Sequence, residues 1–147
     1  MRSGKKRKVR VMFVCIGNAC RSPMAEAIAR QDAAGLLEVY SAGLSPLGFI
    51  PEMTVETLQR NGYSTDGLQS KPVDSEVLLK IDLVLNLSGY TRPAALIAAR
   101  ETEDWSVEDP YFGEDAIYQR VFEDIQLRIS DLIARLRTRQ LEEEVDS

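Results

Sequence analysis

The segment Val9–Arg30, VRVMFVCIGNACRSPMAEAIAR, constrains the fold of this chain more than any other part of it. VRVMFV is a short apolar run rich in β-branched residues, the pattern of a strand buried on both faces of a parallel sheet. CIGNACR follows as a loop of mostly small residues. SPMAEAIARQDAA then reads as a helix, with Ser22 as its N-cap, Pro23 at the first helical position, Glu26 in the first turn and Gly35 at its end. A strand that passes through a short loop straight into a helix is the opening half of a βαβ unit. Its return strand must lie parallel to the first.

The alternation continues along the chain. LLEVYSAG is a second strand, LSPLGFIP a loop and EMTVETLQRNG a helix. SKPVDSEVLLK is looser, with a short helix from Asp74, and IDLVLNLSG is a third strand. RPAALIAARE is predicted as a helix, and EDWSVEDPYFG as a short strand running into a loop. The last helix is long and amphipathic, with Ile117, Val121, Phe122, Ile125, Ile129, Leu132, Ile133 and Leu136 at helical spacing. The pattern predicts the α/β class: a single domain over residues 1–147, with an open parallel sheet of about four strands. Helices should cover both faces, and a phosphate-binding loop should follow the first strand. Residues 1–8 are expected to form a flexible basic tail and residues 140–147 a flexible acidic one. Ligands of such sheets bind beyond the carboxyl ends of the strands, so the loops after Val14, Ser41 and Val107 should meet there.

Composition removes several classes of function. A chain of 147 residues suits one domain with a real core. Its formal net charge of −5 and pI of about 4.9 fit nucleic-acid binding poorly, so Lys5–Lys8, KKRK, reads as a solvated tail. No apolar run approaches the roughly 18 residues of a membrane span, and no signal-peptide cleavage pattern is present. The expectation is a cytoplasmic protein with no membrane and no nucleic-acid partner. The chain has no histidine and two cysteines, Cys15 and Cys20. That excludes a Ser-His-Asp triad, a Cys-His pair and a four-ligand zinc site of nitrogen and sulfur within the chain. No metal and no cofactor are expected.

The loop itself suggests chemistry. Backbone N–H groups between a strand end and a helix N-terminus converge on a concavity that attracts anions. Such a cradle would be built by Ile16, Gly17, Asn18, Ala19, Cys20, Arg21 and Ser22. Gly17 permits a tight turn, Asn18 tolerates a positive φ, and Ala19 is small. Arg21 can hold an oxyanion through two parallel hydrogen bonds. Cys15 lies at the base of this cradle, a setting that favours a thiolate, and Ser22 can donate a hydrogen bond to it. A thiolate under a bound phosphate ester is placed for in-line attack on phosphorus. With no histidine, Asp109 in VEDPYFG is the best proton donor for the leaving group, because a thiolate and a dianion nearby favour its protonated form. Tyr111 and Phe112 follow it and could wall a flat substrate group.

VCIGNACRSPMAEA together with the later DPY resembles the low-molecular-weight protein tyrosine phosphatase family, whose loop reads C-x-G-N-x-C-R-S-P. The resemblance implies that Cys15 is the nucleophile of a phosphocysteine intermediate and that Arg21 binds phosphate and stabilises the transition state. It implies that Asp109 acts first as general acid and then as general base. Asn18 would shape the loop, Ser22 support the thiolate, and Cys20 pair reversibly with the nucleophile under oxidation. The implied substrate is a phosphotyrosine-containing protein or a small aryl phosphate, with Phe49 as the bulky aromatic of the loop after the second strand. Many members carry a histidine that supports the phosphate loop, and this chain has none.

The same superfamily contains thioredoxin-coupled arsenate reductases, which SAGLSPLGFIP, NGYSTDGLQSK and DLVLNLSG also resemble. Those enzymes use two further cysteines. Here Ser88 stands at the first of these positions and no later cysteine follows. A reductase using an external low-molecular-weight thiol needs only Cys15, and is the alternative reading.

Overall fold

A computed structural model describes residues 7–146, so Lys5, Lys6 and the rest of the basic tail up to Lys6 lie outside the described residues. Among those described, four parallel strands form one sheet: β1 (Val9–Cys15), β2 (Leu37–Gly43), β3 (Leu83–Asn86) and β4 (Thr102–Asp104). Their order is β2-β1-β3-β4. The chain builds first to one side of β1 and then to the other. The loop after β1 therefore sits at the switch point of the sheet, where crevices open in folds of this kind.

Alternation along β1 decides what covers each face. Val11, Phe13 and Cys15 point into the larger core, which they share with α1 (Arg21–Asp32), α2 (Glu52–Arg60) and α4 (Asp115–Asp146). Phe13 stacks obliquely on Trp105, with ring centroids 5.9 Å apart. Met12 and Val14 point to the other face, where Leu78 of the four-residue helix α3 (Ser75–Leu78), Ile81 and Leu96 complete a smaller core. Asp74 caps α3, its carboxylate accepting from the backbone N–H of Glu76 at 2.8 Å and of Val77 at 3.2 Å. Helical elements thus lie on both faces, long on one and short on the other.

Three local expectations are corrected. Ser22 is not the cap of α1: the helix begins at Arg21 with Cys20 at its N-cap position, and the Ser22 hydroxyl turns inward to the loop. Glu26 accordingly lies beyond the first turn and is buried. RPAALIAARE forms only one 3-10 turn, Ala94–Leu96. Leu96 is buried but Ile97 is 77% exposed, so the segment lacks the apolar face that would hold a helix to the body. The residues of the acidic tail through Asp146 are helical, as the continuation of α4. Its Leu-Glu-Glu-Glu-Val run favours helix and holds no glycine or proline to stop it.

Candidate active site

The loop between β1 and α1 is fixed from behind by buried polar groups. Asn18 is fully buried with φ at +47°, the left-handed conformation that asparagine tolerates better than most residues. Its side-chain amide donates to Ser22 Oγ at 2.7 Å and to Ser41 Oγ at 3.0 Å, while its Oδ1 accepts from the backbone N–H of Lys71 at 3.0 Å. Gly43 at the end of β2 makes room for this arrangement. A Cβ there would stand 2.8 Å from Asn18 N and 2.9 Å from Ile16 O, closer than real side chains come. Loop carbonyls also hold the segment after β2: Ile16 O accepts from Ser45 N at 2.8 Å and Gly17 O from Leu47 N at 2.9 Å.

A second buried layer, which no sequence motif announces, stands behind Asn18. Glu26 on α1 is only 1% exposed. It accepts a hydrogen bond from Ser41 Oγ and pairs with Arg30 one turn along the helix. Lys71 Nζ lies 3.9 Å from Glu26 Oε1 and donates to Ser41 Oγ at 3.3 Å. Burial lowers the pKa of Lys71, outweighing the attraction of Glu26, and Arg30 lowers it further. A chain without histidine thus backs its loop with a serine, a carboxylate and a lysine. No motif exposes the link, because Ser41, Glu26 and Lys71 come from three separate segments.

At the front, Cys15 is 2% exposed and its Sγ lies 3.0 Å from Ser22 Oγ. Ser22 also accepts from Asn18, so its hydroxyl hydrogen is directed to the sulfur or to Ala42 O, 3.5 Å away. Arg21, 5% exposed, is held by carbonyls at the ends of two neighbouring segments: Nη1 donates to Leu87 O at 2.7 Å and to Val107 O at 3.2 Å. Its Nη2 lies 3.4 Å from Asp109 Oδ2. Asp109, half exposed, also accepts from Tyr111 N at 3.1 Å, forming the Asx turn expected before a proline. The cleft above Cys15 has a volume of about 180 Å³, and its walls include Arg21, Asp109, Ser45, Leu47 and Tyr111.

Cys15, Ile16, Gly17, Ala19, Cys20, Arg21, Asp109 and Tyr111 are therefore brought together around one cleft, with Asn18 and Ser22 immediately behind it. Two expected residues are not part of its lining. Phe49 is 55% exposed, and Leu47, two residues earlier, supplies the apolar side chain from that loop. The reason lies in the register set by Leu47 N on Gly17 O, together with Gly48, whose φ of +95° turns the chain away. Phe112 is 93% exposed with φ at +71°, its ring against that of Tyr111 at 4.2 Å between centroids. Cys20 is buried, its Sγ 3.6 Å from Tyr118 Oη, and both cysteines are free thiols. Burial pushes the Cys20 thiol and the Tyr118 phenol above their ordinary values. Among the described residues, no group of three or more metal-ligating side chains forms, and no helix is long and apolar enough to cross a membrane.

Known proteins are similar to this chain in sequence and fold. The chain is 31% identical over 129 residues to the glutaredoxin arsenate reductase of Synechocystis, covering 86% of this chain and 98% of that protein. A solved arsenate reductase in its phosphate-binding state superposes with a TM-score of 0.78 at 30% identity, covering 87% of this chain and 98% of the other. The low molecular weight protein tyrosine phosphatase from T. tengcongensis gives 0.76 at 31%, covering 87% and 99%. The model of the low molecular weight phosphotyrosine protein phosphatase family matches residues 10–144, and the chain belongs to that family.

Proposed function

We propose that this protein is a metal-independent phosphatase that hydrolyses phosphotyrosine or aryl phosphate monoesters through a phosphocysteine. The observation that carries the reading is the placement of three groups: the Cys15 thiol at the floor of the cleft, the Arg21 guanidinium beside it, and the Asp109 carboxyl 3.4 Å from that guanidinium at the mouth. Loop amides and Arg21 would hold the phosphoryl oxygens and stabilise the charge that develops on them. Cys15 Sγ would attack phosphorus as the ester oxygen leaves, and Asp109 would give that oxygen its proton. Asp109, now a carboxylate, would take a proton from the water that cleaves the S–P bond, returning free thiolate and phosphate. Leu47 and Tyr111 offer apolar walls for an aryl group.

A second reading is favoured by the relatives named arsenate reductase. Arsenate would occupy the same cradle, and Cys15 would form a thiolate–arsenic adduct that an external thiol such as glutathione or mycothiol resolves. Two thiols are then oxidised to a disulfide as arsenic falls from the +5 to the +3 state. Ser88 supports the need for an outside thiol: its hydroxyl donates to Asn86 Oδ1 at 2.6 Å and accepts from Tyr90 N at 3.1 Å, closing a turn.

The two are separated by assaying p-nitrophenyl phosphate and arsenate side by side. Hydrolysis that exceeds thiol-dependent arsenate reduction is expected, and Cys15→Ser should lower it by on the order of 10⁴-fold or more. Asp109→Ala should slow an alkyl or phenyl phosphate by about 10²-fold or more, and p-nitrophenyl phosphate much less, because the better leaving group needs its proton less. Equal slowing of both substrates would refute the general-acid role. Arsenate reduction exceeding hydrolysis would replace the first reading with the second.

A further inference from the structure

One hydroxyl outside the cleft joins two of its sides. Gly17 O, in the loop after β1, accepts twice: from Leu47 N at 2.9 Å and from Ser70 Oγ at 2.8 Å. Ser70 Oγ in turn accepts from Gly48 N at 2.9 Å. Its one hydrogen and one of its lone pairs thus go to two different loops. Ser70 itself is not part of the cleft lining. The segment that carries it is fixed: Lys71 N donates to Asn18 Oδ1 at 3.0 Å, and Lys71 O accepts from Gly43 N at 2.8 Å. The loop after β2 depends on this junction. It runs alongside the loop after β1, with Leu44 N on Cys15 O at 3.0 Å, Ser45 N on Ile16 O at 2.8 Å and Leu47 N on Gly17 O. That register ends at Leu47, because Gly48, at φ +95°, turns the chain away. Ser70 holds the loop at the turn. Leu47 is the apolar side chain that this loop sends to the cleft wall, and a Cβ built on Gly17 would lie 3.6 Å from Leu47 Cβ.

We propose that Ser70 is a specificity-positioning residue: its hydroxyl fixes the height of the Leu47 wall above the phosphate cradle, and so decides how well an aryl group is received there. The inference rests on the aryl phosphate reading above. Ser70 acts through Leu47 and touches no substrate. The cradle does not need it. Asn18 holds the loop from behind through Ser22 and Ser41, and Leu47 N stays on Gly17 O when the hydroxyl is gone. The wall loop is the part that loses its hold. Without the hydroxyl, Gly48 N has no partner on the segment before Lys71, and the wall swings about the one remaining bond at Gly17 O. The consequence is a loss of selectivity for the group attached to phosphate, with binding of the phosphoryl oxygens retained.

Calorimetric binding of two anions that cannot be hydrolysed tests this on the full chain. Methylphosphonate fills only the cradle. Benzylphosphonate, in which a methylene replaces the ester oxygen, also meets the wall. Wild type is expected to bind benzylphosphonate more tightly. Ser70→Ala should narrow that preference by about fivefold while leaving the methylphosphonate affinity near that of wild type. Leu47→Ala should narrow it at least as much. Adding Ser70→Ala to Leu47→Ala should narrow it no further, because the hydroxyl works only through that side chain. The inference is overturned if Ser70→Ala keeps the wild-type preference, if it weakens both anions alike, or if its effect adds in full to that of Leu47→Ala. A wild type that does not distinguish the two anions would overturn the aryl phosphate reading itself, and this inference with it.

Discussion

Two clefts differ in how their walls are held, and the smaller is the one proposed to carry the chemistry. The cleft over Cys15 holds about 180 Å³; the one beyond β4, bordered by Arg92, Leu96, Ile97 and Asp104, holds about 580 Å³. In the first, Asn18, Ser22, Ser41 and Glu26 are almost wholly buried and bonded to one another, so the groups facing the cleft cannot drift. In the second, Arg92 is exposed, and Asp104 is turned back toward the sheet, accepting from Asn86 Nδ2 at 2.9 Å. Its walls hang on a segment that does not even complete a helix. Reactivity follows pre-organisation rather than room: buried polar groups that are fully partnered are rigid, and rigid groups can be aimed.

The first way to break that contrast is to loosen the small cleft from behind. Gly43→Ala drives a methyl group into Asn18 and Ile16 O, where contacts of 2.8 to 2.9 Å leave no space and the opposing atoms are backbone atoms and the Asn18 Cβ. A cost of about 1–3 kcal/mol in stability is expected, read as a lower urea midpoint at unchanged slope. Displacing the loop should also lower turnover on p-nitrophenyl phosphate by about 10²-fold, far more than the stability loss alone predicts. Wild-type kinetics in a folded Gly43→Ala protein would show that the loop is not held in the way described.

The legible and illegible parts of this site differ for the same reason. Cys15, Asn18, Arg21 and Ser22 are local: one strand end, one loop and one helix start place them, and their spacing carries the geometry. Asp109 is legible from its place at a strand end before Pro110, which restrains the backbone there. Leu47 against Phe49 was not, since two residues' difference in register depends on a hydrogen bond to Gly17 and a left-handed glycine. Nor was the Ser41–Glu26–Lys71 layer, whose members are distant in sequence and look like an ordinary strand serine and surface charges. The 94–96 turn is illegible for a different reason: alanine-rich sequence suggests a helix where only Leu96 finds a place in the core.

A smaller effect should appear at Lys71, which belongs to the buried layer without touching the cleft. Burial lowers its pKa from the ordinary 10.5, so between the lowered value and 10.5 the folded protein binds fewer protons than the unfolded chain. Stability therefore gains from this group as pH rises through that window, and the desolvation penalty is felt in full below it. Compared with Lys71→Met, wild type should become relatively more stable as the pH is raised toward 10.5. The difference is modest, because the side chain is 41% exposed and water screens it. Urea midpoints of both proteins across that range measure the trend; a difference that moves the other way would mean that the Glu26 attraction, not burial, dominates.

The smallest effect belongs to the larger cleft. Ile97 is 77% exposed, and its neighbour Leu96 already supplies the one buried contact of the turn. Ile97→Ser should change stability by no more than about 0.5 kcal/mol. Arg92 contributes a backbone at φ +49° and an exposed side chain, and glutamine would carry the same backbone strain as arginine there, so Arg92→Gln should be as mild. Neither substitution should alter kcat or KM on an aryl phosphate. The segment joins β3 to β4, but Arg21 is anchored on Leu87 O and Val107 O, on either side of it, and those anchors do not pass through its exposed face. A rise in KM with kcat unchanged in either variant would mean that the wide cleft takes part in holding a substrate, and the division between a prepared cleft and an idle one would fail at that point.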